Sequence, residues 1–149
     1  MSSIEIAAVT KNEVAALAQI EKECFADPWS EDSLLYETEN PAAHFICAKD
    51  GGTVAGYMGM HHVLDEGYVA NVAVSAKYRR RGIASALITA MLEEAKGLGL
   101  AFVSLEVRVS NLVAIALYSK FGFENQGIRK GYYDHPKEDA MIMTLYFGK

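Results

Sequence analysis

The chain has 149 residues, of which 51% are hydrophobic and 22% charged, a size and make-up that fit one globular domain and exclude intrinsic disorder. Its net charge of −5 has the wrong sign for a sequence-blind binder of nucleic acid, so no direct nucleic-acid partner is expected. That charge is uneven: residues 1–76 carry −9 and residues 77–149 carry +4, with Lys77, Arg79, Arg80 and Arg81 inside five positions, a pattern suited to a small anionic ligand.

In chain order, Met1–Ile6 has no basic region followed by an apolar core, so no secretory leader is read there. Ile4–Val9 reads as a strand. Val14, Leu17, Ala18, Ile20, Glu21 and Phe25 keep a helical spacing from about Lys11 to Phe25. Asp27-Pro28-Trp29-Ser30 breaks that helix. Ser30 is placed to cap a second one, with Glu31 and Asp32 in its first turn, and Asn40-Pro41 stops it. His44–Lys49 and Thr53–Val63 read as strands around the hairpin signal Asp50-Gly51-Gly52. Asp65-Glu66-Gly67 reads as a turn and Tyr68–Val74 as the next strand. His61 and His62 are adjacent on a strand and so point to opposite faces; they cannot share one ion, and a structural role is expected for both.

Gly82–Lys96 reads as a helix with one apolar stripe, Ile83, Leu87, Ile88, Met91, Leu92 and Ala95. Ala101–Val109 is a strand, and Asn111–Phe121 a helix ended by Gly122. Phe123–Arg129 and Ala140–Phe147 form a last strand pair around a loop, Tyr132–Asp139. The order is that of an α/β (α+β) domain: a central mixed sheet, partly parallel, flanked by helices. No linker or repeat divides it, so a single domain over residues 1–149 is expected. No apolar run approaches the ~20 residues of a membrane span. Cys24 and Cys47 belong to no CxxC pair, so no zinc site is expected. Both read as reduced thiols of a cytoplasmic protein, although the spacing alone leaves a disulfide open.

The basic turn sits between a strand and an amphipathic helix. First-turn N–H groups of a helix lack internal partners and lie at its positive end, where phosphate oxygens fit. The bland alternative is a solvated turn. Neither a P-loop nor a GxGxxG fingerprint is present. Arg79-Arg80-Arg81-Gly82-Ile83-Ala84 resembles the R/Q-x-x-G-x-G/A motif of the GNAT superfamily of acetyltransferases, with Ala84 where glycine is commoner. The resemblance implies the GNAT acyl-CoA N-acyltransferase fold, acetyl-CoA as co-substrate and no metal. It places the pyrophosphate on Arg79, Arg80, Arg81, Gly82, Ile83, Ala84 and Ser85, and the pantetheine arm along the backbone of Val72, Ala73 and Val74.

On the strand Ala101–Val109, Ser104, Glu106 and Arg108 share one face and Val103, Leu105, Val107 and Val109 the other. Asn111 and Tyr118 lie two turns apart on one side of the following helix. Taken alone, Glu106 has a simple alternative as the partner of Arg108, Tyr118 as a core aromatic and Asn111 as a helix cap. The whole run resembles one GNAT branch, the bacterial ribosomal-protein-alanine N-acetyltransferases (RimI). The matches are Phe25-Ala26-Asp27-Pro28-Trp29-Ser30, Leu64-Asp65-Glu66, Leu105-Glu106-Val107-Arg108, Ser110-Asn111, Ala116-Leu117-Tyr118, Gly122-Phe123, Tyr132-Tyr133 and Glu138-Asp139-Ala140. This implies Glu106 as general base, Tyr118 as general acid and Asn111 as a pantetheine ligand. Trp29, Tyr132 and Tyr133 would meet the acceptor, a protein N-terminus and in particular the alanine of a small-subunit ribosomal protein, with Asp134 or nearby acids favouring a basic chain. Two other readings stay open: a GNAT enzyme for lysine or small-molecule amines, and a non-catalytic module on ribosome or RNA. The expected state is a monomer or weak dimer with no membrane contact.

Overall fold

The computed structural model describes residues 4–148 and builds one seven-stranded sheet with helices on both faces. Met1–Ser3, part of the stretch in which no leader is read, and Lys149 lie outside the described residues.

Strand β1 (Ile4–Ala8) leads through a 3-10 turn (Lys11–Glu13) into helix α1 (Val14–Cys24). A capping box starts it: Asn12 N donates to Thr10 Oγ1, and Thr10 N donates back to Glu13 Oε1 at 2.6 Å. Lys49 Nζ donates to the other Glu13 oxygen at 2.9 Å; that bond and the one from Thr10 N bring the carboxyl pKa down to about 2. Helix α2 (Glu31–Thr38) is capped as the sequence predicts, with Ser33 N donating to Ser30 Oγ at 3.1 Å. Strands β2 (Ala43–Asp50), β3 (Thr53–Val63) and β4 (Glu66–Val74) follow, then α3 (Ile83–Gly97), β5 (Phe102–Arg108), α4 (Leu112–Lys120), β6 (Glu124–Asp134) and β7 (Lys137–Tyr146). The sheet order is β1-β2-β3-β4-β5-β7-β6, antiparallel throughout except between β4 and β5.

Two expectations change. Glu66 and Gly67 belong to β4 rather than to a turn; the chain reverses at Leu64-Asp65, with Leu64 at a positive φ of 56°. Gly67 leaves little room for a side chain: a Cβ there would stand 2.9 Å from Leu100 Cδ1 and 3.1 Å from Met60 Sδ. The segment read as the loop Tyr132–Asp139 is mostly strand, because tertiary contacts extend the ladder. The Arg108 guanidinium donates to Pro136 O at 2.8 Å, to His135 O at 3.2 Å and to Glu138 Oε1 at 3.1 Å, and lies 4.3 Å from the centre of the Tyr133 ring.

Each sheet face has its own core. The predicted stripe of α3 is fully buried against Ile46, Met58, Met60, Val103, Leu105 and Val107. On the other face α1 packs with Leu34 of α2 against Phe45, Cys47, Tyr57 and Ala73. Each fully buried Leu, Ile or Met in these clusters contributes about 1.5–3 kcal/mol. The two histidines split between the faces as expected: His61 Nε2 meets Glu37 of α2 at 3.0 Å, while His62 Nδ1 meets His44 Nε2 at 2.7 Å, and His44 in turn meets Glu94 of α3 at 3.1 Å. Both cysteines are free thiols, Cys47 buried and Cys24 half-buried.

Gly59 shows how tightly the α1 side is filled. A Cβ at this position would lie 2.4 Å from two carbons of the Phe45 ring, which itself stacks on Tyr57. Gly59→Ala is therefore expected to destabilise the fold by about 1–3 kcal/mol, the usual cost of overpacking. The check is the urea midpoint, which should fall at unchanged m.

Candidate active site

The parallel pairing of β4 and β5 is short. It runs from Glu66 opposite Phe102 to Tyr68 opposite Ser104 and then stops, although both strands continue. The cause is a bulge. Asn71 faces Gly59 and Val69 faces Met60, so Ala70 is an extra residue on β4, which bends there away from β5. The result is a wedge-shaped gap in the middle of the sheet.

One wall of the gap is backbone. Ser75 N donates to Ala55 O at 2.8 Å, so the antiparallel alternation turns Ala73 toward β3 and turns the N–H and C=O groups of Val72 and Val74 into the gap. Of the three residues predicted to meet the pantetheine arm, two therefore present backbone groups and Ala73 does not. The C=O of Val74 already accepts from Arg79 Nε at 3.3 Å and from Cys24 Sγ at 3.5 Å, which leaves its N–H.

At the end of this wall lies the start of α3. The first helical hydrogen bond is Ala86 N to Gly82 O at 3.0 Å, and no side chain caps the helix. The N–H groups of Gly82, Ile83, Ala84 and Ser85 thus have no partner within the helix. Arg80 and Gly82 both hold left-handed φ values, 66° and 76°. A left-handed arginine costs about 1–3 kcal/mol of backbone strain, which here bends the turn around the helix end. The predicted arginines differ in position: Arg79 is folded back onto Val74 and Cys24, Arg81 lies 5.3 Å over the Tyr78 ring, and all three are exposed.

Glu106 and Tyr118 occupy opposite faces of β5. Val103, Leu105 and Val107 point into the α3 core, and Tyr118 of α4 is buried with them, its ring 5.8 Å from Phe123. Glu106 points to the other face, 27% exposed. It does not pair with Arg108, which is held by Glu138 and the β6–β7 hairpin; its nearest cation is Arg129 of β6, at 3.7 Å. Tyr133 connects the two. Burial and the nearby Tyr133 phenol push Tyr118 up to about 12. Burial, Tyr132 and then Glu106 push Tyr133 up to about 12. Asn111 caps α4, its Oδ1 accepting from Ala114 N at 3.2 Å, and its amide N–H groups are not used in that cap.

The face that carries Glu106 is bounded by two elements. On one side is the β6–β7 hairpin with Tyr132 and Tyr133, whose rings meet at 5.0 Å, and with Arg129 at 5.2 Å over Tyr132. On the other is the α1–α2 connection, where Trp29 packs 6.1 Å from Phe45. His135 Nδ1 and Asp27 Oδ2, 2.9 Å apart, clasp hairpin to connection, and Asp27 pushes the histidine pKa up. The clasp was not foreseen, since its partners lie 108 residues apart in the chain. Nor was Glu21, which is 0% exposed and accepts from Trp29 N at 2.9 Å, from the Tyr57 hydroxyl and from Asn71 Nδ2. Its signal was present: a carboxylate inside the apolar stripe of α1. Among the described residues no cluster of three His, Cys, Asp or Glu is arranged to hold a metal ion, and no helix is long and apolar enough to cross a membrane.

Comparison with known proteins identifies the family. The model of the acetyltransferase (GNAT) family matches residues 14–123. A Bacillus subtilis (strain 168) relative is 41% identical over 128 residues, covering 85% of each chain. The [ribosomal protein bS18]-alanine N-acetyltransferase of Escherichia coli (strain K12) is 35% identical over 142 residues, covering 94% of this chain and 95% of its own. The crystal structure of the ribosomal-protein-S18-alanine N-acetyltransferase from Escherichia coli superposes with a TM-score of 0.91 at 33% identity, covering 99% of this chain and 96% of that one. The chain belongs to the acetyltransferase (GNAT) family and is an acetyl-CoA-dependent N-acetyltransferase with the fold of that family.

The state of Tyr118 gives a direct test of the cleft. A difference-absorbance titration of wild type against Tyr118→Phe should show this residue's phenolate only near pH 12 rather than at the ordinary 10. The unfolded chain ionises first, so the contribution of Tyr118 to stability is intact below pH 10 and falls as the pH climbs toward 12.

Proposed function

We propose that this acetyltransferase moves the acetyl group of acetyl-CoA to the α-amine of a protein N-terminus, and that its acceptor is the N-terminal alanine of a small-subunit ribosomal protein in the cytoplasm. The observation that carries this reading is the division of the gap into two sides. The uncapped N–H groups of α3 and Tyr118 lie toward one face, and Glu106, Tyr132 and Tyr133 toward the other. The two relatives from Escherichia coli named for alanine N-acetylation of this ribosomal protein support the acceptor.

On this reading the pyrophosphate rests on the N–H groups of Gly82, Ile83, Ala84 and Ser85, with Arg79, Arg80 and Arg81 adding charge at the rim. The pantetheine arm takes the place of the missing strand along Val72 and Val74, with the Asn111 amide beside it. An α-amine has a reference pKa of about 7.7–8.0, so it arrives largely protonated. Glu106 takes that proton, directly or through water, and the ammonium competes with Arg129 for the same carboxylate. A gap-facing N–H of β4 steadies the oxyanion that forms when the amine adds to the thioester carbonyl. As the C–S bond breaks, the thiolate leaves on the Tyr118 side and takes the phenol's proton. A phenol kept neutral up to about 12 is always in the donor form at working pH. Trp29, Tyr132 and Tyr133 flank the incoming chain. The exposed acids of the first half of the sequence favour a basic acceptor by steering.

Glu106→Gln and Tyr118→Phe are each expected to lower kcat by about 10²–10⁴-fold, the usual range for losing an acid or base, with acetyl-CoA binding nearly unchanged. Turnover at the wild-type rate in both would overturn the acid and base assignment. A thiol-release assay with peptides beginning Ala, Ser or Met, beside one with only an internal lysine amine, tests the acceptor. Alanine peptides should be preferred, and a preference for the lysine peptide would assign the enzyme to side-chain acetylation instead.

A further inference from the structure

Glu21 lies outside the chemistry described above, yet it is among the most completely buried charged groups of the fold. It sits on α1 and reaches three other elements. Oε1 accepts from the backbone N of Trp29, at the mouth of the acceptor side, at 2.9 Å. Oε2 accepts from the Tyr57 hydroxyl on β3 and from Asn71 Nδ2 on β4. Asn71 Nδ2 also donates to the Tyr57 hydroxyl oxygen at 3.2 Å. Each of these groups donates to the carboxylate, no cation among the described residues is within salt-bridge distance of it, and a carboxylate is the side-chain acceptor that takes all three bonds at once.

The position of Asn71 gives this network its consequence. It closes the bulge that bends β4 off β5, and it precedes Val72, the first residue whose backbone faces the gap. A bulge left to itself is a soft point in a strand, since its extra residue is unpaired. Here a side chain from a helix pins it. The same carboxylate pins the connection that carries Trp29. We infer that Glu21 is a positioning residue that sets, through Asn71, the width of the acetyl-CoA slot and, through Trp29 N, the acceptor wall. This rests on the reading that acetyl-CoA lies along Val72 and Val74.

The two arms of the network can be separated by the substrate they affect. Asn71→Ala removes only the β4 arm from a half-buried position, so it should raise the KM for acetyl-CoA about five- to tenfold, the effect of one ordinary hydrogen bond, and leave the KM for peptide within about twofold. Glu21→Leu removes both arms and should raise both KM values. Glu21→Gln should restore much of the loss, because its carbonyl serves Trp29 N while its amide pairs with a reoriented Asn71 amide. A purely structural role predicts lower stability with unaltered KM values in all three. Hydrogen exchange on the wild-type enzyme provides the control: acetyl-CoA should protect the amides of Val72 and Val74. Protection in the wild type with unchanged acetyl-CoA KM in Asn71→Ala overturns the inference alone. Absence of protection overturns the slot along β4 and the inference with it. Should Glu21→Leu not fold, Asn71→Ala and Glu21→Gln still decide the matter.

Discussion

Two parallel strands in the centre of a sheet normally stay paired for their length, because each unpaired N–H or C=O buried between them is costly. Here β4 and β5 part after Tyr68 and Ser104, and most of the chain's other features are arranged around that separation. Gly67 lets β4 approach Leu100 and Met60 at the closed end. The bulge at Ala70 turns β4 outward, and α3 begins beyond the open end of that strand without a cap. The backbone N–H and C=O of Val72 and the N–H of Val74 are left without a strand partner. An edge of this kind invites pairing with other chains when it lies on the outside of a protein. Here it is set inside the sheet, between β4 and β5, and not on its rim.

The separation also gives the sheet two sides with different chemistry. The α3 side is apolar and closes over Tyr118, and this burial keeps the phenol protonated. The Glu106 side is polar and partly open, lined by Arg129, Tyr132 and Tyr133 and bounded by the clasp of Asp27 with His135. One strand, β5, carries Glu106 on one face and packs the core around Tyr118 on the other, simply because strand residues alternate. The two side chains are thus held in separate environments by the same strand. The clasp is an exposed ion pair and so contributes little to stability. Its geometry matters more than its energy, since it joins the β6–β7 hairpin to the α1–α2 connection on the face that carries Glu106.

Much of this was legible from local signals. The helical stripe of α3, the cap at Ser30, the alternation along β5 and the basic turn before Gly82 each follow from short-range periodicity or from the demands of a helix end, and the structure keeps them. What was not legible depends on partners distant in sequence. Arg108 beside Glu106 invites pairing of the two, but β7 brings Glu138 closer to the guanidinium and leaves Glu106 to Arg129. The same arginine converts the supposed loop at Tyr132 into strand. The division of labour within Val72–Val74 needed the register with β3, which no single-sequence pattern supplies. Glu21 was visible as a carboxylate in an apolar stripe, but which donors it would serve depended on β3 and β4 lying across α1.

Glu21 also shows why a fold of this kind tolerates a costly group in its interior. Burial raises the carboxyl pKa, so the charged form is held at a cost relative to water. The cost is offset by donors that would otherwise go unsatisfied: a backbone N–H at a helix-to-helix break, a buried phenol and an amide beside a strand bulge. An apolar residue in its place would pack, but it would leave Trp29 N and the Tyr57 hydroxyl without an acceptor and the bulge without its tether to α1. The carboxylate's requirement for donors and the tether on the bent strand are thus met by one set of contacts.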